Sequence, residues 1–523
     1  MQRTSMSARR LHSYRRSGRW GVALLGLAIP AGACSSVDAS HQASAGVTGS
    51  GGATPAAASS ASVGGGGAST NVSSGSGVMG PCAAKPWARD LGAGNSVSEL
   101  HQALGADCST ILTGYFTGAL DLGNGPLSAN GDAKGFFVAK LDAAGHTLWS
   151  HAFEATMSVS SPLVAVDAQG DIVFGSSFSG TIDLGSGPLT STATSDLFLA
   201  KLDSDGHTLW SRLYHIAADV GDIAMDAAGN VILGGLFSSD MDFGLGVVHA
   251  GFAEHGFLVK LDPTGTPLWQ KDIDSPDMAT VYGLAVDGTG AITFTGMFKT
   301  SIGFGFSTTA WRSSYVARYD ADGTLLWAHQ LGGKNGQMAL DVAVDGAGNS
   351  VVGGWFSAPL DIGDPAVDLG LAPKMTMDGP IACAIRYDPK GKVTWGHCFY
   401  ASPDALSQTN QRMNGVAFGP AGQIWMTGQF TRAIDFGGGA LKNPTNVTRV
   451  FVAELSASGK QIGAAEYGTT SGNVGAASTG DGILVDATGR AHVVGTLTGL
   501  ASFDGGPLTS SGDADGFVAT VDF

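Results

Sequence analysis

The segment LDAAGHTLW at residues 141–149 recurs as LDSDGHTLW at 202, LDPTGTPLW at 261, YDADGTLLW at 319 and YDPKGKVTW at 387. The tryptophans that end these copies, Trp149, Trp210, Trp269, Trp327 and Trp395, lie 61, 59, 58 and 68 residues apart. A period near 60 is the mark of an array of supersecondary units. A second turn falls between successive tryptophans: VDAQGDIVF at 166, MDAAGNVIL at 225, VDGTGAITF at 286, VDGAGNSVV at 344, FGPAGQIWM at 418 and VDATGRAHV at 485. Each repeat thus holds two turns of the D-x-x-G type flanked by β-rich runs. Asp accepts hydrogen bonds from its own turn, and Gly supplies the positive φ that closes a bulged hairpin. Two hairpins give four antiparallel strands, A to D.

Four strands in about 60 residues is the pattern of a propeller blade. The B strands count the blades: GYFTGALDLG, SSFSGTIDLG, GLFSSDMDFG, GMFKTSIGFG, GWFSAPLDIG and GQFTRAIDFG, with GTLTGLASFDG as the seventh. Eighty glycines and only 14% charged residues suit many short strands joined by Gly-dependent turns. The last repeat stops at GFVATVDF, where Asp522 opens a C-to-D turn and no D strand follows. PWARDLG at 86–92 matches LWAHQLG at 326, and Trp87 lies 62 residues before Trp149. The expectation is an all-β, closed seven-bladed propeller over 81–523, its N-terminal strand completing the C-terminal blade and removing the open edges at the seam. An open β-solenoid is the alternative, and it would not need complementary termini. The structural residues of the turns and blades are then Asp142, Gly145 and Trp149; Asp203, Gly206 and Trp210; Asp262, Gly265 and Trp269; Asp320, Gly323 and Trp327; Trp395; and Trp87.

Over residues 82–523 the MDAAGNVIL-type turns resemble those of bacterial seven-bladed propeller repeats and NHL-type repeats, while KLDAAGHTLW is similar to the quinoprotein (PQQ) repeat. The resemblance implies the fold and leaves the activity open, because propellers host unrelated functions. Quinoprotein enzymes of this kind generally look eight-bladed and often carry adjacent cysteines under the cofactor. This chain has seven repeats and no Cys-Cys pair.

Residues 1–33 carry six arginines and no acid, followed by the apolar run WGVALLGLAIPAGA. That is a basic n-region and a short h-region, read as a secretory signal peptide rather than a span of about 20 apolar residues. AGAC places Cys34 where bacterial lipoproteins carry their lipidated cysteine, and an ordinary A-x-A site would cut at the same bond. Ser35 favours the outer membrane of a Gram-negative cell in the lipoprotein reading; secreted or periplasmic release is the alternative. Residues 34–80 read as the lipidated cysteine and a flexible Ser/Gly/Ala tether, too poor in apolar side chains to offset the entropy of ordering. The formal charge of −16, more negative once the arginines are removed, argues against nucleic acid.

Cys383 and Cys398 flank the turn YDPKG and should face each other across a hairpin as a disulfide. By alignment Cys82 falls in the C-D turn of the closing blade and Cys108 replaces the glycine of the first A-B turn, so that their disulfide would staple the seam. The competing reading is two free or metal-binding thiols, for which the C-x-x-C spacing is missing.

The tight turns A-B and C-D share one face of the ring, and the B-C and D-A connections share the other. That second face carries the length variation, with DPAVDLGLAPKMTMDG at 364–379 and YASPDALSQTNQRMNG at 400–415. Turn aspartates such as Asp203 and Asp320 lack the ligand spread of a calcium loop. The polar residues two past each tryptophan, Arg89, His151, Arg212, Lys271, His329 and His397, read as stems that cover the indole while the charge reaches water. No G-x-S-x-G, H-E-x-x-H or P-loop spacing appears. The expectation is a monomeric, non-catalytic binding or interaction scaffold at the cell surface. It would hold a protein or glycan ligand on the loop face and touch the membrane through its lipid only, with no cofactor and no metal. An extracytoplasmic enzyme with its site on that face, a lyase, a hydrolase or a quinoprotein-like oxidoreductase, is the alternative, and a scaffold for envelope assembly is a third reading.

Overall fold

The computed structural model describes residues 65–66, 82, 85–92, 97–128, 134–160, 162–251, 253–308, 311–332, 337–357, 360–362, 380–400, 410–443, 447–468, 477–510 and 515–523. The signal segment 1–33, Cys34, nearly all of the tether, the 364–379 insertion and residues 401–409 lie outside the described residues. What is described falls in the compact unit Ser60–Phe523 and contains strands and no α-helix.

Seven antiparallel sheets follow one another along the chain, each with strand order A-B-C-D. In blade 3 the strands are Ala218–Met225, Val231–Phe237, His255–Leu261 and Pro267–Ile273. The others occupy 97–153 (blade 1), 163–214 (2), 278–331 (4), 338–399 (5) and 412–467 (6). Blade 7 has Thr479–Val485, Ala491–Leu497 and Asp515–Val521 from the C-terminus, and Ala88–Asp90 as its outer strand. The register at this seam is Ala88↔Ala519, Arg89↔Val518 and Asp90↔Phe517. The ring is therefore closed by strand pairing between its two ends, which leaves no open sheet there. Gly65–Gly66 pairs with the inner strand of the same blade, opposite Leu484 and Ile483.

The core is a set of wedges between blades. Each of seven apolar clusters joins two successive blades, and the seam wedge sets Trp87, Leu91, Val494 and Val518 against Leu112, Phe116 and Phe137. Strands buried on both faces need near-continuous apolar runs, which explains sequences such as VILGGLF. Strand A carries a bulge in six blades, for example between Val281 and Gly283. In blade 4 it drives the Thr280 carbonyl against strand B at Gly296, where any Cβ would collide with that oxygen.

Four strands do not exhaust a blade. The B-C connection starts with a second, small ribbon, such as Ala119–Asp121 with Pro126–Ser128 and Thr181–Asp183 with Pro188–Thr190. Its turn is D-x-G-x-G: Asp183 Oδ1 accepts from the amides of Gly185 and Gly187, as Asp435 does from Gly437 and Gly439. The ribbon lies against strand D of its own blade, where Gln270 holds blade 3's ribbon at Phe243 and Gly246.

Candidate binding face

On the tight-turn face the repeated side chains are used to join blades. In each D-x-x-G turn one carboxylate oxygen accepts two amides, as Asp262 Oδ1 does from Thr264 and Thr266 at 2.9 Å each. The carbonyl following that aspartate points out of the turn, and the tryptophan of the preceding blade binds it. Trp149 Nε1 donates to Ser204 O at 3.1 Å, Trp210 to Pro263 O at 3.1 Å, Trp269 to Ala321 O at 3.1 Å, Trp327 to Pro389 O at 3.1 Å and Trp395 to Ala457 O at 3.0 Å. Trp87 makes the same bond to Ala143 O at 3.0 Å across the seam. The turn glycine rests on the indole: a Cβ on Gly145 would lie 2.5 Å from the Trp87 ring. The motif read as a hairpin is thus also a docking site for the previous blade.

The polar residues two past the tryptophans differ from the expectation of charges reaching water. Arg89 Nη1 donates to Gly145 O at 2.8 Å, Arg212 to Thr264 O at 3.1 Å, and His329 Nε2 contacts Gly391 O at 2.6 Å. Burial lowers the Arg89 pKa while Asp121 and Asp142 oppose that shift. These side chains extend the inter-blade contact, because the tryptophan brings the next turn within their reach.

A second repeated group escaped the sequence reading. In blades 1 to 5 the residue two before the C-D turn aspartate is basic, buried in blades 1 to 4 and partly buried in blade 5, and paired with its own blade's A-B turn: Lys140 with Asp107 at 3.4 Å, Lys201 with Asp167 at 3.2 Å, Lys260 with Asp226 at 2.9 Å, Arg318 with Asp287, and Arg386 with Asp345 at 3.7 Å. Blade 6 has lost both partners. Gly419 stands in the turn, and buried Glu454 in place of the cation has its pKa raised by burial.

The junction from blade 6 to blade 7 lacks a tryptophan, since Gly463 holds that position. Phe523 packs over Gly463 and stacks on Trp425 with centroids 5.2 Å apart and planes 4° from parallel. Cys82–Cys108 joins the segment before the closing strand to blade 1, with Cys108 at φ 60° in the glycine position of its turn. Cys383–Cys398 bridges directly paired residues of blade 5.

The opposite face differs from blade to blade. At the start of strand C, Asp196 meets His215 at 2.9 Å in blade 2, and His255 meets Asp272 at 2.9 Å in blade 3. Ser313 accepts from Gln330 at 3.1 Å in blade 4, and Arg449 meets Glu466 at 2.7 Å in blade 6. Blade 5 has its disulfide near the same level. Beside them the side chains of Met157 and Trp311 are exposed, the latter under the Arg312 guanidinium at 3.8 Å.

The inner wall carries two buried carboxylates at the strand A bulges. Asp222 accepts from Ile223 and, across to blade 4, from Leu284, both at 2.8 Å. Asp341 accepts from Val342 and, across to blade 6, from Val416, again at 2.8 Å. They satisfy amides on the unpaired edge of strand A. Burial pushes the Asp222 pKa well up, its two amides pull it down, and Asp341 adds to the rise. An open cleft of about 520 Å³ at the rim between blades 5 and 6 is lined by His397, Tyr400, Asp435, Lys460 and Gln461 among others. The hydroxyl–imidazole–carboxylate sets found among the described residues are not open proton relays: Thr110, His492 and Asp486 are buried in the seam, and Thr192 and Asp196 both meet the same nitrogen, Nδ1, of His215.

The strand pairing defines the class: a seven-bladed β-propeller of four-stranded antiparallel blades. No family model matches the chain, and no curated protein matches it. Among solved structures it is similar to the propeller domain of the Trilobed protease from Pyrococcus furiosus at 9% identity, covering 81% of this chain and 93% of that one, with a TM-score of 0.38. A Bacteroides caccae protein of unknown function matches at 11% identity over 63% and 89% of the two chains, TM-score 0.32. A Synechocystis apocarotenoid oxygenase matches at 11% over 80% and 91%, TM-score 0.32. Likeness at this level carries no functional argument.

Proposed function

We propose that this chain is a non-catalytic binding scaffold, exported and lipid-anchored through Cys34, which presents its loop face to a protein or glycan at the surface of a Gram-negative cell. The observation that supports this reading is the division of labour between the faces. The recurring Trp, Lys or Arg, and Asp side chains are taken up in joining turns within and between blades, whereas strand ends on the loop face carry a different polar pair in blades 2, 3, 4 and 6. A rigid frame with one irregular face is what a binding module requires. The finer repeat resemblance, NHL-like with quinoprotein-like C-D turns, fits the same reading. The strand A carboxylates hold backbone amides, which gives a structural role to the acids an enzyme reading would look to first.

The test is a glycan and envelope-protein binding screen with the full chain, repeated with loop-face variants such as Trp311→Ala and with tight-turn variants such as Lys392→Ala. A ligand lost with the former and kept with the latter supports the scaffold. Turnover of a polysaccharide or quinone substrate, with no ligand retained, would sink it. Cys34→Ala should move the protein from the membrane to the soluble fraction, and unchanged membrane retention would refute the anchor.

A further inference from the structure

We propose that His255 and Asp274 form a divalent-metal site of the zinc class on the loop face of blade 3, with Asp272 as the positioning residue. His255 opens strand C and its side chain is only 8% exposed. Its Nδ1 lies 2.9 Å from Asp272 Oδ1 on the paired strand D. That bond places the proton on Nδ1 and leaves the Nε2 lone pair outward. A carboxylate that orients a metal-binding imidazole through its other nitrogen is the arrangement that fixes tautomer and ring direction at metal sites.

Nε2 faces Asp274 Oδ1 at 3.6 Å, beyond a hydrogen bond. Two ligands at about 2.1 Å from a tetrahedral zinc stand about 3.4 Å apart. The separation therefore suits one ion between them. The three residues are close enough for single ligand atoms to lie within 4.8 Å of one another.

The second ligand is held in place independently of the histidine. Gly303 N donates to Asp274 O at 2.9 Å, and Ser275 Oγ donates to Ser301 O at 2.9 Å, so the segment carrying Asp274 is tied to the blade 4 ribbon. The Asp274 side chain is 72% exposed, which leaves room for water on the remaining positions. Imidazole with carboxylate selects zinc and similar ions over calcium or magnesium. Other loop-face pairs lack one element of this set: Arg449 with Glu466 has no lone pair to offer, and His249 with Asp240 is exposed on both sides, 73% and 66%. Cys82, Cys108 and Asp486 also lie together, but both sulfurs are in a disulfide.

The experiment uses the full chain without a polyhistidine tag, stripped by chelator, titrated with Zn²⁺ by calorimetry and with Co²⁺ by visible absorption. We expect one saturable Zn²⁺ site and a Co²⁺ ligand-field band. Asp274→Asn leaves the His255–Asp272 pair intact and should weaken Zn²⁺ binding tenfold or more, to about the same extent as His255→Gln. Asp272→Asn should weaken it about 10–100-fold and shift the Co²⁺ band. His249→Gln should change neither. Absence of Zn²⁺ binding, binding that Asp274→Asn leaves intact, or equal loss in His249→Gln would each overturn the site.

Discussion

Trp87 donates its indole Nε1–H to Ala143 O at 3.0 Å, and that bond ties the closing strand of blade 7 to the first C-D turn of blade 1. It has the same donor, acceptor and geometry as the five later tryptophan bonds. The seam is therefore held by the general inter-blade contact as well as by strand pairing.

Removing the donor while keeping an aromatic ring isolates that contact. Trp149→Phe should cost about 1 kcal/mol for the lost bond to Ser204 O. Gly145→Ala should cost more, about 2–4 kcal/mol, because φ there is 83° and the new methyl meets the Trp87 ring. Urea unfolding of both variants checks the order, and a larger loss in Trp149→Phe would contradict it.

Lys260 and Asp226 are both about 95% buried at 2.9 Å, so removing one charge strands the other. Lys260→Met should destabilise by about 3–5 kcal/mol, and adding Asp226→Asn should restore part of that. Blade 6, which lacks both charges, shows that a blade folds without them. A double variant no more stable than Lys260→Met, by equilibrium unfolding, would argue against a stranded charge.

Cys82–Cys108 spans 26 residues and Cys383–Cys398 spans 15. By loop-closure entropy each contributes about 3 kcal/mol. The two should differ in where the loss is felt. Cys108→Ser should raise hydrogen exchange in Ala88–Asp90 and Asp515–Val521, whereas Cys398→Ser should act on blade 5 alone. Equal exchange at the seam in both variants would refute the stapling role.

Phe523 substitutes for the missing tryptophan bond at the blade 6 to blade 7 junction. Phe523→Ala should cost about 0.5–1.5 kcal/mol, the range for an aromatic pair, and loosen Gln461–Tyr467 to exchange. An unchanged unfolding midpoint would show that Gly463 needs no cover.

Blade number and closure were readable because turn chemistry is local: Asp and Gly at fixed offsets report a hairpin whatever surrounds it. Where Trp149 sends its Nε1–H was not, since its partner Ser204 lies 55 residues on and is a backbone atom with no sequence signature. The ion pairs did leave a signal, the basic residue in KLD, KLD, KLD, RYD and RYD, whose meaning depends on the strand order A-B-C-D, which brings the A-B and C-D turns of one blade to the same face. Asp222 and Asp341 left none, because a bulge shifts the two-residue alternation that marks which side chains turn inward. His255, Asp272 and Asp274 escaped for a related reason: strand pairing, with no sequence spacing, brings them together.

Acid should weaken the seam. His492 of blade 7 reaches Thr110 of blade 1 at 3.1 Å, lies edge-on to Trp87, and bonds Asp486 at 3.3 Å. Burial would raise the Asp486 pKa, but the bonds from His492 and Thr488 and the His492 charge outweigh it and hold the carboxyl at about 2. An unfolded aspartate titrates near 3.9. A depressed folded value means that the unfolded chain binds the proton first, so this stabilisation is complete above about pH 5 and disappears as pH falls from there toward 2. Asp486→Asn should therefore be less stable than the parent at pH 7, and the gap should close by pH 2. Thermal unfolding midpoints across that range test it, and a gap that stays constant with pH would remove Asp486 as the titrating group.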